Sequence, residues 1–444
     1  VSQPPSVSWS LAPEILRRVE ARVSAAQCAG RAPSVVLGLV REGRLAHTFG
    51  AGEREQPVAD LQYRIGSISK TLTAVLVLQQ RDEGRLALGD PLDRFLPGTP
   101  VGGRTLRQLL GHASGLQREP DGDGWWERTP GRDREALLAG LTPDKLAFPP
   151  DRKYHYSNLG YGLLGAVLER VTGRSWFDLL AERVLEPLAM GRTTYHPQEP
   201  FARGYVVHPL HGTLHPEPWT DTGAMAPAGQ LWSTLADLAR WAAFLAEPAP
   251  GVLRPETLAE MCVPVTMSDL EAWTGGHGLG LELTRSGERL LVGHGGSMPG
   301  YVSALLVHRP SRTGVVAFAN AYGFPVGTLA QDVLAEVLAG EPEPVPAPWA
   351  PADPPPPEAA ALCGRWWWMG LAHDAAWHGE SGELRITRAG REPWRFDPEG
   401  PDRWRGRSGM NDGEVLRVRR NASGGIEALD IATFLLSRDP DRLA

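Results

Sequence analysis

Apolar residues along this chain follow two periods, and the change from one to the other marks out its elements. Ser34-Val-Val-Leu-Gly-Leu-Val40 is almost wholly apolar and Leu45-Ala-His-Thr-Phe49 alternates, which predicts two strands joined as a hairpin at Glu42-Gly43. A helix around Pro13 to Ala25 precedes them. From Ser67 to about Asp82 the period lengthens: Ile68, Leu72, Val75, Leu76 and Gln79 fall on one helical face and the run stops at Gly84. Ser67 is therefore expected at or near a helix N-terminus, facing unpaired backbone N–H groups.

From Leu92 to about Met190 the pattern predicts a mostly helical subdomain, with Gly122 to Asp133 as a surface loop. Within it, Leu159, Leu163, Val167 and Val171 line a helix that Ser157 or Asn158 can cap and that ends at Gly173. Ser233-Thr-Leu-Ala-Asp237 opens a later amphipathic helix. Leu290 to Val292, Val302 to Val307 and Gly314 to Ala319 then read as strands, the last two joined by a turn at Arg309 to Gly314.

Residues 341–357 alternate proline with small or acidic residues and end in four prolines, a composition suited only to an extended spacer. A boundary is placed there, with one domain over 1–340 and its helical subdomain over about 90–190. The second, over 358–444, carries Trp366, Trp367, Trp368, Trp377, Trp394 and Trp404 among short alternating segments, which predicts a small β-barrel with a tryptophan-rich core.

Composition narrows the function classes. A net charge of −7 leaves no basic footprint, so nucleic acid and anionic membrane surfaces are not expected partners. No apolar run approaches the roughly 18 residues needed to cross a bilayer. The first 13 residues lack the basic and apolar regions of a secretory signal, so a cytoplasmic location is expected. Cys28, Cys262 and Cys363 are odd in number and widely spaced, which disfavours both a disulfide framework and a metal site.

Only three lysines occur among 444 residues, and Lys70 lies three positions after Ser67 in Tyr63-Arg-Ile-Gly-Ser-Ile-Ser-Lys-Thr71. One helical turn brings such a pair together, and a lysine whose pKa of about 10.4 is lowered by burial can take the serine proton. Tyr156, in Tyr156-Ser157-Asn158, can complete the relay as a second acid/base; which of the two is the primary base stays open. The third landmark is His294-Gly295-Gly296.

These three motifs, in this order, resemble those of the serine β-lactamase and D-Ala-D-Ala carboxypeptidase superfamily, in particular its class C-like branch. Leu109-Leu-Gly-His-Ala-Ser-Gly-Leu116, Pro187-Leu-Ala-Met190 and Leu231-Trp-Ser-Thr-Leu-Ala-Asp-Leu-Ala239 extend the likeness from about Ser34 to Ala339. The resemblance implies an α+β fold, an antiparallel sheet flanked by helices with an inserted helical subdomain, and a lipocalin-like C-terminal barrel. It also implies that Ser67 becomes acylated, Lys70 activates it, and Tyr156 serves as acid/base. Asn158 would bind the substrate amide, His294, Gly295 and Gly296 would line the acyl group, and the Ser67 and Ser297 N–H groups would form the oxyanion hole. No cofactor or metal is implied.

The chain departs from the β-lactamase pattern at His294, where that pattern has lysine. A histidine of ordinary pKa is only about a quarter protonated at pH 7, a weak cation for a substrate carboxylate. The expected reaction is acyl transfer through an acyl-serine, with no carboxylate assignable as a dedicated deacylation base. The first expectation is a penicillin-binding-protein-type thioesterase that hydrolyses or cyclises a peptide borne by a carrier protein. The alternatives are a D-stereospecific peptidase, amidase or esterase, and an inactive peptide-binding module. His208, His211 and His215 are read as a flexible loop rather than a ligand set, and Gly275-Gly-His-Gly-Leu-Gly280 as a turn rather than a dinucleotide loop.

Overall fold

The computed structural model describes residues 11–53, 58–122, 124–340 and 354–441. The chain divides into two compact units, Val1–Pro342 and Glu343–Ala444. The proline-rich residues 341–353 and the N-terminal ten lie outside the described residues.

The first unit is built on an eight-stranded antiparallel sheet. Its order is Arg44–Gly52, Ser34–Arg41, Thr313–Ala319, Tyr301–His308, Arg289–Met298, Glu282–Ser286, Gly275–His277 and Thr266–Met267. The expected hairpin is present, with Val36 opposite Gly50 and Leu37 opposite Phe49. Between Ser34 and Arg41 this strand carries no polar side chain, because both faces of the sheet are covered. Val36 and Val40 enter one core, while Val35, Leu37 and Leu39 enter the other. Helices Pro13–Gly30 and Val326–Ala339 fill the second core with Val19, Val23, Leu329 and Val333.

The opposite face carries helix Ser69–Asp82, buried from Ser69 to Gln80. It sits against helices Asn158–Thr172 and Leu235–Ala246 in one continuous core. Two of its threonines are paired within that core: Trp241 Nε1 donates to Thr71 Oγ1 at 2.8 Å, and Trp176 Nε1 donates to Thr73 Oγ1 at 3.1 Å. Helix Leu235–Ala246 begins where its cap predicts, with Asp237 N donating to Thr234 Oγ1.

Residues 90–190 are less helical than their composition led us to expect. Leu106–Leu110, Arg134–Ala139, Asn158–Thr172 and Trp176–Leu180 are helices, but long irregular stretches rich in Gly, Pro and Asp join them. Gly122 and Gly124 to Asp133, the described part of the expected surface loop, are irregular as predicted, yet they are not simply a surface loop, since Trp126 and Glu127 are buried. The segment with His208, His211 and His215 is also no formless loop. Tyr205–Val207 and Leu214–Pro216 pair as a hairpin, and the His208 ring stacks on His211. Gly275–His277 is a strand, with the turn confined to the residues that follow.

The second unit is a closed antiparallel barrel of eight strands, from Gly364–Trp368 to Phe434–Ser437, sealed where Trp367 pairs with Ser437. Trp366, Phe396 and Trp404 fill its core with Leu384, Leu416 and Leu429. Trp367, Trp368, Trp377 and Trp394 are only partly buried, so the tryptophan cluster is split between the interior and its margins. No helix among the described residues is long and apolar enough to cross a membrane.

Candidate active site

Ser67 is partly exposed while its neighbours from Leu61 to Lys70 are buried. It lies in a 3-10 turn, Gly66–Ile68, that runs straight into helix Ser69–Asp82. The turn presses against strand Arg289–Met298. A Cβ at Gly66, where φ is +51°, would lie 2.6 Å from both N and O of Ser297. A Cβ at Gly296 would lie 2.0 Å from the Ile65 carbonyl oxygen. Only glycine permits this approach, and it sets the backbones of Ser67 and Ser297 side by side, as an oxyanion hole requires. Ser303 Oγ ties the arrangement down by donating to Ile65 O at 2.8 Å.

Lys70 is fully buried. Its Nζ donates to Ser67 Oγ at 2.9 Å and to the Ala228 carbonyl at 2.6 Å. Burial lowers its pKa to about 7, against the opposing pull of Glu127, Glu119 and Glu282. A neutral amine is therefore present near neutral pH, within reach of the serine proton. Tyr156 is hydrogen-bonded to Ser67, and the Lys70 ammonium lies 5.0 Å from its ring centroid. Burial pushes the Tyr156 hydroxyl well up, which makes it a proton donor at rest and a phenolate only transiently.

Ser157 caps helix Asn158–Thr172 by accepting from Gly160 N at 3.0 Å, which leaves Tyr156 just ahead of the helix and directed at Ser67. Asn158 Nδ2 donates to both oxygens of Glu119, at 2.9 and 2.8 Å, and its Oδ1 is buried without a partner among the described residues. Asn158 is thus committed to Glu119 on one side and has one free acceptor.

Three carboxylates that the motif reading did not single out surround Lys70. Glu119 lies beside Asn158. Glu127 is buried, and burial together with Glu119 raises its pKa to about 7. Glu282 accepts from Gly295 N at 3.0 Å. Strand Arg289–Met298 pairs with Glu282–Ser286 only as far as Gly293, so Glu282 stands at the point where the edge from His294 to Met298 becomes free of that neighbour. The signal that could have exposed Glu127 is its place in Trp125-Trp126-Glu127, two aromatic residues inside an otherwise polar segment.

His294 is buried beside Tyr156, with their ring centroids 6.2 Å apart. It is 1% exposed, its Nδ1 is 2.5 Å from the Gly295 carbonyl, and burial holds its pKa near 3. It is neutral and groups with two other buried histidines, His112 and His277, while its Nδ1 lies 3.6 Å from Glu282 Oε1. Ser67, Lys70, Tyr156, Ser297 and Gly296 come together as read. His208, His211 and His215 lie on their hairpin, outside the three-histidine group.

Comparison with known proteins agrees with this geometry. The family profile described as Beta-lactamase matches residues 16–339, and a second, described as a domain of unknown function, DUF7586, matches residues 355–438. The chain is 30% identical to the human protein beta-lactamase-like 1 over 349 residues, 74% of this chain and 67% of that one. It is 31% identical to the D-alanyl-D-alanine-carboxypeptidase/endopeptidase AmpH of Escherichia coli, over 48% of this chain and 56% of the relative. The chain thus spans about half to two thirds of the length of these curated relatives. Among solved structures, a D-stereospecific amidohydrolase from Streptomyces sp. superposes with a TM-score of 0.65 at 29% identity, covering 73% of this chain and 99% of that one. SurE superposes with a TM-score of 0.61 at 25% identity, covering 96% of this chain and 99% of that one. The chain belongs to the beta-lactamase family of serine acyl-enzyme hydrolases.

Proposed function

We propose that this beta-lactamase family member hydrolyses peptides, amides or esters whose acyl group ends in a D-configured residue. In this reading Ser67 attacks the acyl carbon, Lys70 or Tyr156 takes its proton, and the Ser67 and Ser297 N–H groups receive the negative charge on the carbonyl oxygen. Tyr156 hands a proton to the leaving group, and water then releases the acyl-serine. The observation that carries it is the 2.9 Å approach of Lys70 Nζ to Ser67 Oγ in a site that lowers the lysine pKa to about 7. The D-preference rests on the similarity to the Streptomyces amidohydrolase and to AmpH.

A second reading is release of a peptide from a carrier-bound thioester, by hydrolysis or by cyclisation onto an amine. It rests on the two-unit layout of the chain and on His294 in place of the lysine of the β-lactamase pattern. The two readings share one acyl-enzyme and differ in leaving group and acceptor.

Intact-protein mass spectrometry tests both. Wild type and Ser67→Ala are mixed with matched amides, esters and peptidyl thioesters ending in D- or L-alanine, and products are identified. A Ser67-dependent adduct confined to D-substrates, with linear acid as product, supports the first reading. Cyclic product from the thioester supports the second. Equal behaviour of wild type and Ser67→Ala on every donor would discard both and leave a peptide-binding module.

A further inference from the structure

Beneath the catalytic residues lie three fully buried imidazoles from separate parts of the chain. His112 comes from the turn after helix Leu106–Leu110, His277 from strand Gly275–His277 and His294 from strand Arg289–Met298. One ring nitrogen from each lies within 4.8 Å of the other two. The His112 and His277 ring centroids are 4.5 Å apart, and those of His277 and His294 are 5.8 Å apart. The Nε2 atoms of all three meet no hydrogen-bonding group of the described residues.

The other nitrogen of each ring decides where its proton is. Ser157 N–H donates to His112 Nδ1 at 3.1 Å, so neutral His112 carries its proton on Nε2. His277 Nδ1 lies 3.1 Å from the Gly278 carbonyl and His294 Nδ1 lies 2.5 Å from the Gly295 carbonyl. A carbonyl only accepts, so both rings are protonated on Nδ1 and present a bare Nε2 lone pair. The pocket therefore offers one N–H donor and two acceptors. Burial keeps all three rings neutral, holding His277 near 4 and His294 near 3 and pushing His112 well down.

We propose that His112, His277 and His294 form a buried hydration site for a single water molecule, which links the second catalytic motif to the third. The water accepts from His112 Nε2–H and donates its two hydrogens to the Nε2 atoms of His277 and His294, so every donor meets an acceptor. One nitrogen of each ring lies within 4.8 Å of the other two, and three such atoms share a point within about 2.8 Å of all of them, an ordinary hydrogen-bond length; with every Nδ1 already engaged by Ser157 N, Gly278 O or Gly295 O, the Nε2 atoms are the ones left to meet the water.

A divalent metal fits this donor set poorly. Coordination by all three Nε2 atoms would strip His112 of its only proton while its Nδ1 still accepts from Ser157, leaving a buried imidazolate. Zinc–nitrogen distances of about 2.0 to 2.1 Å would also draw the rings closer than the 4.8 Å bound requires. The water completes a path from Ser157 N–H through His112 to His294 and on to Gly295 O, joining the loop that aims Tyr156 to the strand beside Ser67. It fills with neutral hydrogen bonds the region where the β-lactamase pattern puts a lysine.

The test uses the whole wild-type chain and does not depend on which acyl donor the enzyme takes. Crystals soaked in zinc chloride would be measured above and below the zinc absorption edge. The expected result is a density peak with no anomalous signal about 2.8 Å from the three Nε2 atoms. An anomalous peak at about 2.0 to 2.1 Å from them, or no density among the rings, would overturn the proposal. Nitrogen-15 NMR of histidine-labelled protein gives an independent check. His112 is expected as the Nε2–H tautomer, with His277 and His294 as Nδ1–H tautomers, and an imidazolium or a reversed tautomer at any of the three would equally refute the site.

Discussion

Ser157 N donates to His112 Nδ1 at 3.1 Å, so the residue that caps helix Asn158–Thr172 also holds the first ring of the buried histidine group. Tyr156 is the neighbour of that cap, and its ring lies 4.3 Å, centroid to centroid, from His112. The hydroxyl that meets Ser67 is therefore aimed by a helix cap on one side and a packed imidazole on the other.

Replacing Tyr156 by phenylalanine removes only the hydroxyl and leaves this packing in place. Acylation is expected to slow by about 10² or more, the usual contribution of a positioned acid/base. Stopped-flow acylation with an activated ester measures the rate, and the melting temperature should stay at the wild-type value. An unchanged acylation rate would take Tyr156 out of the proton relay.

The acid limb of the pH profile reports Lys70. Its pKa is depressed to about 7 and its active form is the neutral amine, so kcat/KM is expected to fall about tenfold per pH unit below pH 7 and to level off above it. Glu127, itself raised to about 7, favours the lysine cation, and the observed midpoint belongs to the pair. Removing that anion in Glu127→Gln lowers the Lys70 pKa further and shifts the limb to lower pH. A midpoint that stays put or moves upward would show that Glu127 does not act on Lys70.

Because His294 stays neutral down to about pH 3, a substrate carboxylate gains no ionic partner from it. Matched peptides ending in D-Ala-D-Ala acid and D-Ala-D-Ala amide are expected to differ in kcat/KM by a ratio set by Arg118, 5.6 Å from the Tyr156 ring centroid, and not by His294. The ratio should hold from pH 8 to pH 5.5. A preference for the acid that grows as pH falls would mean that His294 gains a proton in the complex.

Gly296→Ala sets a methyl group against Ile65 O and Ser303 Oγ, at 2.0 and 2.3 Å before relaxation. Strand Arg289–Met298 must move away from the Ser67 turn. The expected cost is about 1 to 3 kcal/mol of stability, read from denaturant midpoints, with a drop in kcat of at least tenfold as the oxyanion donors separate. Wild-type kcat in this variant would mean that the close approach is not needed for turnover.

Much of this site was legible before any fold was known because its chemistry is local. Ser67 and Lys70 are one turn apart on a single element, and their reach follows from helical geometry alone. Helix Leu235–Ala246, opened by Ser233 to Asp237, was readable for the same reason, as was the hairpin of Ser34–Arg41 and Arg44–Gly52. The stretch from Leu92 to Met190 was misread as mostly helical because its apolar residues serve a core made by other elements, and periodicity does not distinguish a packed loop from a short helix.

What the sequence determined by itself was the class of chemistry and the order of its parts: a serine with its lysine, a tyrosine ahead of a capped helix, a glycine-rich strand, and a proline-rich break before a tryptophan-rich segment. What only the tertiary structure decided was the electrostatic state of those groups. Lys70 is brought near neutrality by burial against three carboxylates from distant segments, Glu119, Glu127 and Glu282. His294 is neutral because burial in the core strips it of bulk solvent and the Lys70 charge opposes its protonation. Desolvation and through-space charge depend on neighbours that the fold brings together, and spacing along the chain carries no record of them.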